Sequence, residues 1–509
     1  MVRSVASFCV ALAMLFAAYS INAATFTVTK IADTNDGTCN ADCSLREAIL
    51  AANAVATDDV VDFDGTVFGS PQTILLSLGE MVIVANGSVT INGTGASMLT
   101  IDGNMASRIL TINNGVATIN GITFTRGNGA GASNTGRAGA IYNFGGTTVI
   151  NDSVITANTA ANGGGLNNAA TPTTPGPAQP GNLTFNRCIV SNNTSTSSGG
   201  GMQNFSTSTV TINDSTFMGN TSGGTTGGGG GQFNGTVRIT NSTFANNNAP
   251  GGGGGGMQSN GANQILTNVT FSGNTSTNNG GGIHRGTTNV NFFIRNSIIA
   301  GNNGSAASPD VTNSTGGIDS EGNNIIGITG TSTGWEASDL LNTNPMLGPL
   351  ANNGGFGMTF LPMAGSPAID AGQNCVLDLS CSGVNPPIAV TTDQRGVTRP
   401  QGPTVDIGSV EVAGAQANAT VAGRVVNAAG VGVSKSVVTI SGGMGVIQTT
   451  LTSSFGYFTF VGIPTGQMYT INVSSKQYSF DPHPVTVDGD ITDIVITATG
   501  GTFVKPIFK

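Results

Sequence analysis

The chain has 509 residues, 77 of them Gly, with 8% charged residues and a formal net charge of −9. Gly at about twice its usual share of ~7%, with so few charges, excludes the surface of a typical helical enzyme. The acidic balance leaves no electrostatic footprint for nucleic acid or an anionic membrane, so neither partner is expected.

Residues 1–23 read as a secretory signal peptide: Arg3 supplies the positive start, Val10 to Ala18 the apolar core, and Asn22-Ala23 a small-residue exit. That apolar run is too short to span a bilayer, and no later segment is long and apolar enough, so no transmembrane segment is expected. The expected location is therefore secreted, periplasmic or on the cell surface. Residues 24–62 read as an N-terminal cap, with a short strand at Ala24–Lys30. Ser44 and Glu47 then form a Ser-x-x-Glu capping box, and Leu45, Ala48, Ile49 and Ala52 share one helical face. A short amphipathic helix there would cover the open end of a stack of strands.

Residues 63–326 carry a repeat of about 27 residues. Its clear copies begin at Ile119, Ile150, Phe185, Ile212, Ile239, Leu266 and Ile294, at spacings of 31, 35, 27, 27, 27 and 28. Each begins apolar then polar; Asn or Asp follows in five of the seven, with Gly121 and Arg187 in the other two, then mostly a small residue and a β-prone pair, and a Gly run follows most copies. A fixed period of this size, with strand-formers and Gly turns, predicts a stacked β-solenoid. Weaker strand-like runs from Ile74 to Ile112 extend it to about ten coils, roughly 50 Å at ~4.8 Å each. Arg126–Arg137 and the Pro-rich Thr171–Gly181 read as insertions, the second as an exposed loop. Residues 327–412 are less regular and read as the cap at the C-terminal end of the solenoid. Residues 418–500 return to short alternating strands broken by turns, the pattern of a small β-sandwich, and residues 501–509 form a tail. The expected fold class is all-β: a parallel β-helix with a capping helix, plus a C-terminal sandwich.

Four stretches resemble known modules. Cys43 to Ala48 reads CSLREA and resembles the N-terminal module named for that motif in bacterial exported β-helix proteins. The Asn-rich, Gly-run coils resemble right-handed parallel β-helix repeats. Asn352 to Gly355, Gly365 to Gly372, Asp393-Gln394-Arg395-Gly396, Arg399-Pro400 and Asp406-Ile407-Gly408 are similar to a choice-of-anchor type C-terminal module. Gly423-Arg424-Val425, Ser454 to Phe460, Gly466 and Tyr469 resemble a carboxypeptidase regulatory-like domain, which implies a transthyretin-like sandwich. The resemblance implies a bacterial surface or secreted protein with no single chemistry attached.

Hydrolases need paired carboxylates, and lyases need Ca²⁺ ligands and a base. Between Gly103 and Pro309 the only acids are Asp152 and Asp214, which hold the same slot in their coils, with Arg187 in that slot between them. The trio reads as a surface charge ladder, and as the catalytic group if the chain is a polysaccharide lyase or hydrolase. Asp33, Asp36, Asp42, Asp58, Asp59, Asp62 and Asp64 read as solvated loop acids, with one structural Ca²⁺ as the alternative; Asp319 and Glu321 are a similar case. The Gly runs lack the Asp of Ca²⁺-binding solenoids, and neither His284 nor His483 has metal-ligand spacing, so no metal or other cofactor is expected. Cys39 with Cys43, and Cys375 with Cys381, are candidate local disulfides, although four Cys allow three pairings. Cys188 stands where other coils have Ser, and reads as a small buried thiol.

If Ile141, Leu166, Met202, Met257 and Ile283 point inward, their neighbours Tyr142, Asn167, Gln203, Phe233, Gln258 and His284 form an outward stripe suited to an extended glycan. The expected role is non-catalytic: adhesion, glycan contact or envelope scaffolding, with an extracellular glycan or envelope component as partner.

Overall fold

The computed structural model describes residues 23–509 apart from 173–176, 262, 287–290, 306, 308, 315, 414–417, 443–445, 465–466, 488 and 502–509. The expected signal peptide up to residue 22, the tail beyond Gly501, and Gly466 lie outside the described residues. The chain divides into two compact units, 1–412 and 413–509.

The first unit is a right-handed parallel β-solenoid of about nine turns. Three long sheets of 11, 11 and 9 strands form its walls, and five short strands from Thr159–Asn162 to Thr275–Ser276 form a fourth. Thr25–Val28 and Thr57–Phe63, read above as part of the cap, are the first two strands of the first sheet. The repeat maps directly onto register: Ile119, Ile150, Phe185, Ile212, Ile239, Leu266 and Ile294 stand one above the next across that sheet. All are buried. Phe217, Phe244 and Phe271 form a second column, their rings stacked at 4.9 and 4.6 Å between centroids.

A third column is polar. Asn158, Asn193, Asn220, Asn247, Asn274 and Asn302 are buried at one corner. Each side-chain amide donates to the Oδ1 of the next, at 2.9–3.0 Å, and each backbone N–H donates to that same oxygen at 3.0 Å. Asp310 ends the series, accepting both bonds from Asn302 at 2.9 Å. The Gly runs follow this corner because adjacent turns touch backbone to backbone. A Cβ on Gly164, Gly200 or Gly229 would stand 2.4 Å from the carbonyl oxygen of the next turn's Gly.

The lid at the N-terminal end is the helix α1, Leu45–Asn53, and each residue of Cys43–Ala48 has a task there. Cys43 is bonded to Cys39. Ser44 and Glu47 close the capping box. Leu45 and Ala48 are in the core. Arg46 grips Asp33 at 2.7 and 3.0 Å and donates to the carbonyls of Gly79 and Glu80. Asn53 bonds the backbone of Val82 and Val84, so α1 supplies hydrogen bonds along the edge strand Met81–Val84. That satisfies groups which an open sheet edge would expose.

Residues 347–412 form a strap along another corner, built on one antiparallel pair, Leu347–Ala351 with Thr359–Pro362. At that corner Asp152, Arg187, Asp214, Asn241, Asn268, Asn296 and Asn323 all have φ between 46° and 55°. Asn and Asp tolerate this left-handed conformation best among non-Gly residues. Their side chains also hold the strap: Asn241 donates to the Thr392 carbonyl, Asn268 to that of Asp406, Asn296 to that of Gln373 and Asn323 to that of Ala371. The strap is locked internally by a buried ion pair, Arg399 to Glu411 at 2.7 Å, and by Asp393, which accepts from Arg395 and from the Glu411 backbone. Cys375 and Cys381 are bonded to each other.

In the second unit, Asn418–Val426 pairs with Tyr457–Pro464 and Ile491–Thr497. A second, antiparallel sheet joins Val446–Leu451, Val437–Gly442, Gln467–Ser474 and His483–Val487. Val421, Val438, Ile440, Phe458, Phe460, Tyr469 and Ile471 form its separate core, as a sandwich requires.

Asn220→Ala should leave the Asn193 donors unpaired inside the rod and cost the first unit about 3 kcal/mol in urea unfolding, since each orphaned buried donor costs ~1–3 kcal/mol. The half-exposed Asn151→Ala should cost less than about 1 kcal/mol because water replaces its bonds. Equal losses would refute the structural role of the buried column.

Candidate functional site

The structure brings Asp152, Arg187 and Asp214 to successive turns but divides them chemically. Arg187 donates to both oxygens of Asp152 at 2.7 and 2.8 Å, with both side chains about half exposed. Such a pair is worth about 0–1 kcal/mol. Asp214 accepts instead from Asn241 at 3.2 Å. Burial pushes its carboxyl up to about 6, against the opposing pull of the Asn241 bond and the Arg187 and Arg399 charges; Asp393 adds to the rise.

The outward stripe is corrected in two ways. Gln232, rather than Phe233, pairs with Gln203 and Gln258, so Phe233 belongs to the next row. The whole column is also covered. Tyr142 and Asn167 are fully buried, and His284, the most open, is 9% exposed. Its side chains bond one another: Asn167 donates to Gln203, Gln203 to Gln232, and His284 Nδ1–H to the Gln258 Oε1 at 2.8 Å. Arg108 lies 4.8 Å from the Tyr142 ring centroid and pairs with Glu80. Burial lowers the His284 imidazole to about 4. An extended glycan does not reach this column, because stacking turns an outward row into a second, amide-filled layer.

The N-terminal acids are engaged with protein donors. Asp33 holds Arg46, Asp36 Thr38, Asp58 Ser88, Asp59 Thr57, Asp62 Asn92 and Asp64 Thr66. Asp42 pairs with Lys30. Asp319 accepts from the Phe292 backbone and Glu321 from Arg295. Among the described residues no group of three or more His, Cys, Asp or Glu is placed to hold a metal ion. No described helix is long and apolar enough to cross a membrane. Cys188 is fully buried, donates to the Ile150 carbonyl, and burial pushes its thiol up to about 12.

The open polar surface lies on the first sheet. Gly87–Asn92, Val116–Asn120, Thr147–Asn151, Asn182–Asn186 and Thr209–Asn213 stack in unbroken register. Their outward positions form three rows. One is Ser88, Val116, Thr147, Asn182 and Thr209; the central one is Thr90, Thr118, Val149, Thr184 and Thr211; the last is Asn92, Asn120, Asn151, Asn186 and Asn213. All are exposed or half-exposed, and none is charged. The Asn row is a ladder in which each amide donates to the preceding turn at 2.8–2.9 Å, ending on Asp62. The repeat already contained most of this row, as the Asn that follows Ile119, Ile150, Phe185 and Ile212. What sequence reading missed is that this sheet, and not the one after the Gly run, stays open.

No protein-family model, no curated protein and no solved structure matches the chain.

Two outcomes follow from the buried groups. Between about pH 4 and 6 the folded state holds a proton on Asp214 that the unfolded chain releases, so this residue's contribution falls as pH rises. Asp214→Asn keeps the left-handed turn and should melt higher than the parent at pH 8 but not at pH 4; parallel melting curves would show that Asp214 titrates normally. Cys188 should resist iodoacetamide in the native protein at pH 8 and react fully in urea; native labelling would contradict its burial.

Proposed function

We propose that this chain is a non-catalytic exported protein that contacts extracellular glycans or envelope polymers along the flat face of its first sheet, in adhesion or scaffolding. The face of Thr and Asn over Gly87 to Asn213 is the observation that carries this reading. It presents hydroxyls and amides about 4.8 Å apart between turns and about 6.7 Å apart along each strand. Thr and Asn both donate and accept, so they can meet sugar hydroxyls in either role. The Asn ladder holds its side chains in place before any ligand arrives, which lowers the entropy cost of binding. The absence of charge on this face suits a neutral polymer.

The resemblance of Cys43 to Ala48 and of Asp393 to Gly408 to modules of bacterial surface proteins supports the same setting. Both motifs are spent on closing the rod: the first seats α1 and the second locks the strap. The rival reading is a polysaccharide lyase or hydrolase acting through Asp152, Arg187 and Asp214. Only the raised carboxyl of Asp214 favours it, as a general acid needs such a group.

Size-exclusion of neutral and acidic polysaccharides after incubation with the protein separates these readings. An intact neutral polymer should co-elute with the protein. Thr118→Lys with Thr184→Lys should weaken that binding at least tenfold at an unchanged melting temperature. A shortened polymer would overturn the non-catalytic reading, and Asp214→Asn would then test the acid.

A further inference from the structure

The second unit contains a concave site that the rod's chemistry does not account for. A cleft of about 470 Å³ is lined by Ser434, Lys435, Ser475, Lys476, Gln477 and Tyr478, with Val431 at its rim. This is within the ~300–1,000 Å³ of small-ligand sites. Lys is scarce here: the sequence has Lys30, Lys435, Lys476, Lys505 and Lys509. Two of these five line one cleft of an acidic protein. Both are exposed, and among the described residues neither ammonium has a carboxylate partner. No Asp or Glu lines the cleft. The third described cation of this unit, Arg424, is occupied elsewhere: it donates to the Phe455 carbonyl and lies 5.3 Å from the Tyr457 ring centroid.

Lys435 is fixed by the fold. Its backbone is left-handed, with φ at 54°, and its N–H donates to the Thr452 carbonyl. Such a conformation in a residue other than Gly or Asn costs free energy and persists where the surroundings enforce it. Tyr478, half-buried against the sandwich core, is also a wall of a second cleft of about 340 Å³, lined by Ala428, Ala429 and Ala498. A charged end therefore adjoins a small, mostly apolar one across a single aromatic residue.

We infer that this cleft binds a carboxylate-bearing saccharide, with Lys435 and Lys476 taking the carboxylate. Ser434, Ser475 and Gln477 meet ring hydroxyls, and the Ala-lined side takes the apolar face of a neighbouring sugar. A lone inorganic anion would leave the hydroxyl-bonding groups and the second cleft unused. The site is separate from the neutral face of the rod, so it would add a second glycan specificity to the same chain.

The test is titration of the full chain with short oligogalacturonate, beside a neutral oligosaccharide of equal length, inorganic phosphate, and vesicles containing phosphatidylglycerol. Oligogalacturonate should bind, more weakly as salt rises, while the neutral sugar does not bind this unit. Lys435→Gln with Lys476→Gln should lower affinity at least tenfold; Lys476→Gln alone, at an exposed turn, should lower it several-fold with no change in folding. Lys435→Gln with Lys476→Gln should leave binding of the neutral polymer to the face of the rod unchanged, which distinguishes the two sites. No binding of oligogalacturonate, undiminished binding in the double variant, or equal competition by phosphate or vesicles would each overturn the proposal.

Discussion

Six successive turns of the rod each bury an asparagine that fixes the register of the next turn. The Asn158 to Asn302 column uses side-chain amide and backbone N–H together on one oxygen, so a turn out of register leaves two donors unpaired at once. In a dry corner that penalty is several times the gain from any single bond. The 35-residue step from Asn158 to Asn193 keeps the same distances as the 27-residue steps. The insertion is therefore expelled outward while the ladder is preserved. Amide ladders have direction, and the outer one, from Asn213 back to Asp62, runs against the inner one. Each ends on a carboxylate, a group that accepts without needing to donate.

The ends of the stack explain where the few charges went. Parallel strands of a solenoid satisfy one another, but the first and last do not. Arg46 with Asp33, Arg108 with Glu80 and Arg295 with Glu321 gather near the two ends of the stack, and Arg399 with Glu411 locks the strap. A buried Arg offers five donors in fixed geometry and can replace several strand hydrogen bonds at once. The middle turns carry fewer such pairs, Arg126 with Asp102 and Arg187 with Asp152, and the open face over Gly87 to Asn213 is left to uncharged residues, mostly Thr and Asn. The neutrality of the open face thus follows from a division of labour along the rod, and it is what makes glycan contact a reasonable use for that face.

The repeat made the architecture legible because a solenoid is nearly one-dimensional: identical positions in sequence become columns in space. The inward columns, the capping box of α1, the two local disulfides and the buried thiol of Cys188 were all readable from residue type and spacing. The stripe at Tyr142 to His284 was misread for a physical reason. Strand alternation says only that a side chain faces away from one core. It does not say whether another layer covers it, and here stacked amides and the folded-back Arg108 fill that side.

Periodicity, Gly placement and Asn slots in the sequence alone determined a parallel β-solenoid, its register and its lid, since each is a local rule repeated turn after turn. Tertiary structure alone decided what those slots face. The same left-handed corner leaves Asp152 with Arg187 in solvent, puts Asp214 under the strap, and makes Asn241, Asn268, Asn296 and Asn323 the strap's anchors. Likewise Lys435 and Lys476, 41 positions apart, share a cleft only because the sandwich closes them together. Contacts between residues distant in sequence depend on how elements pack, and no local pattern encodes that.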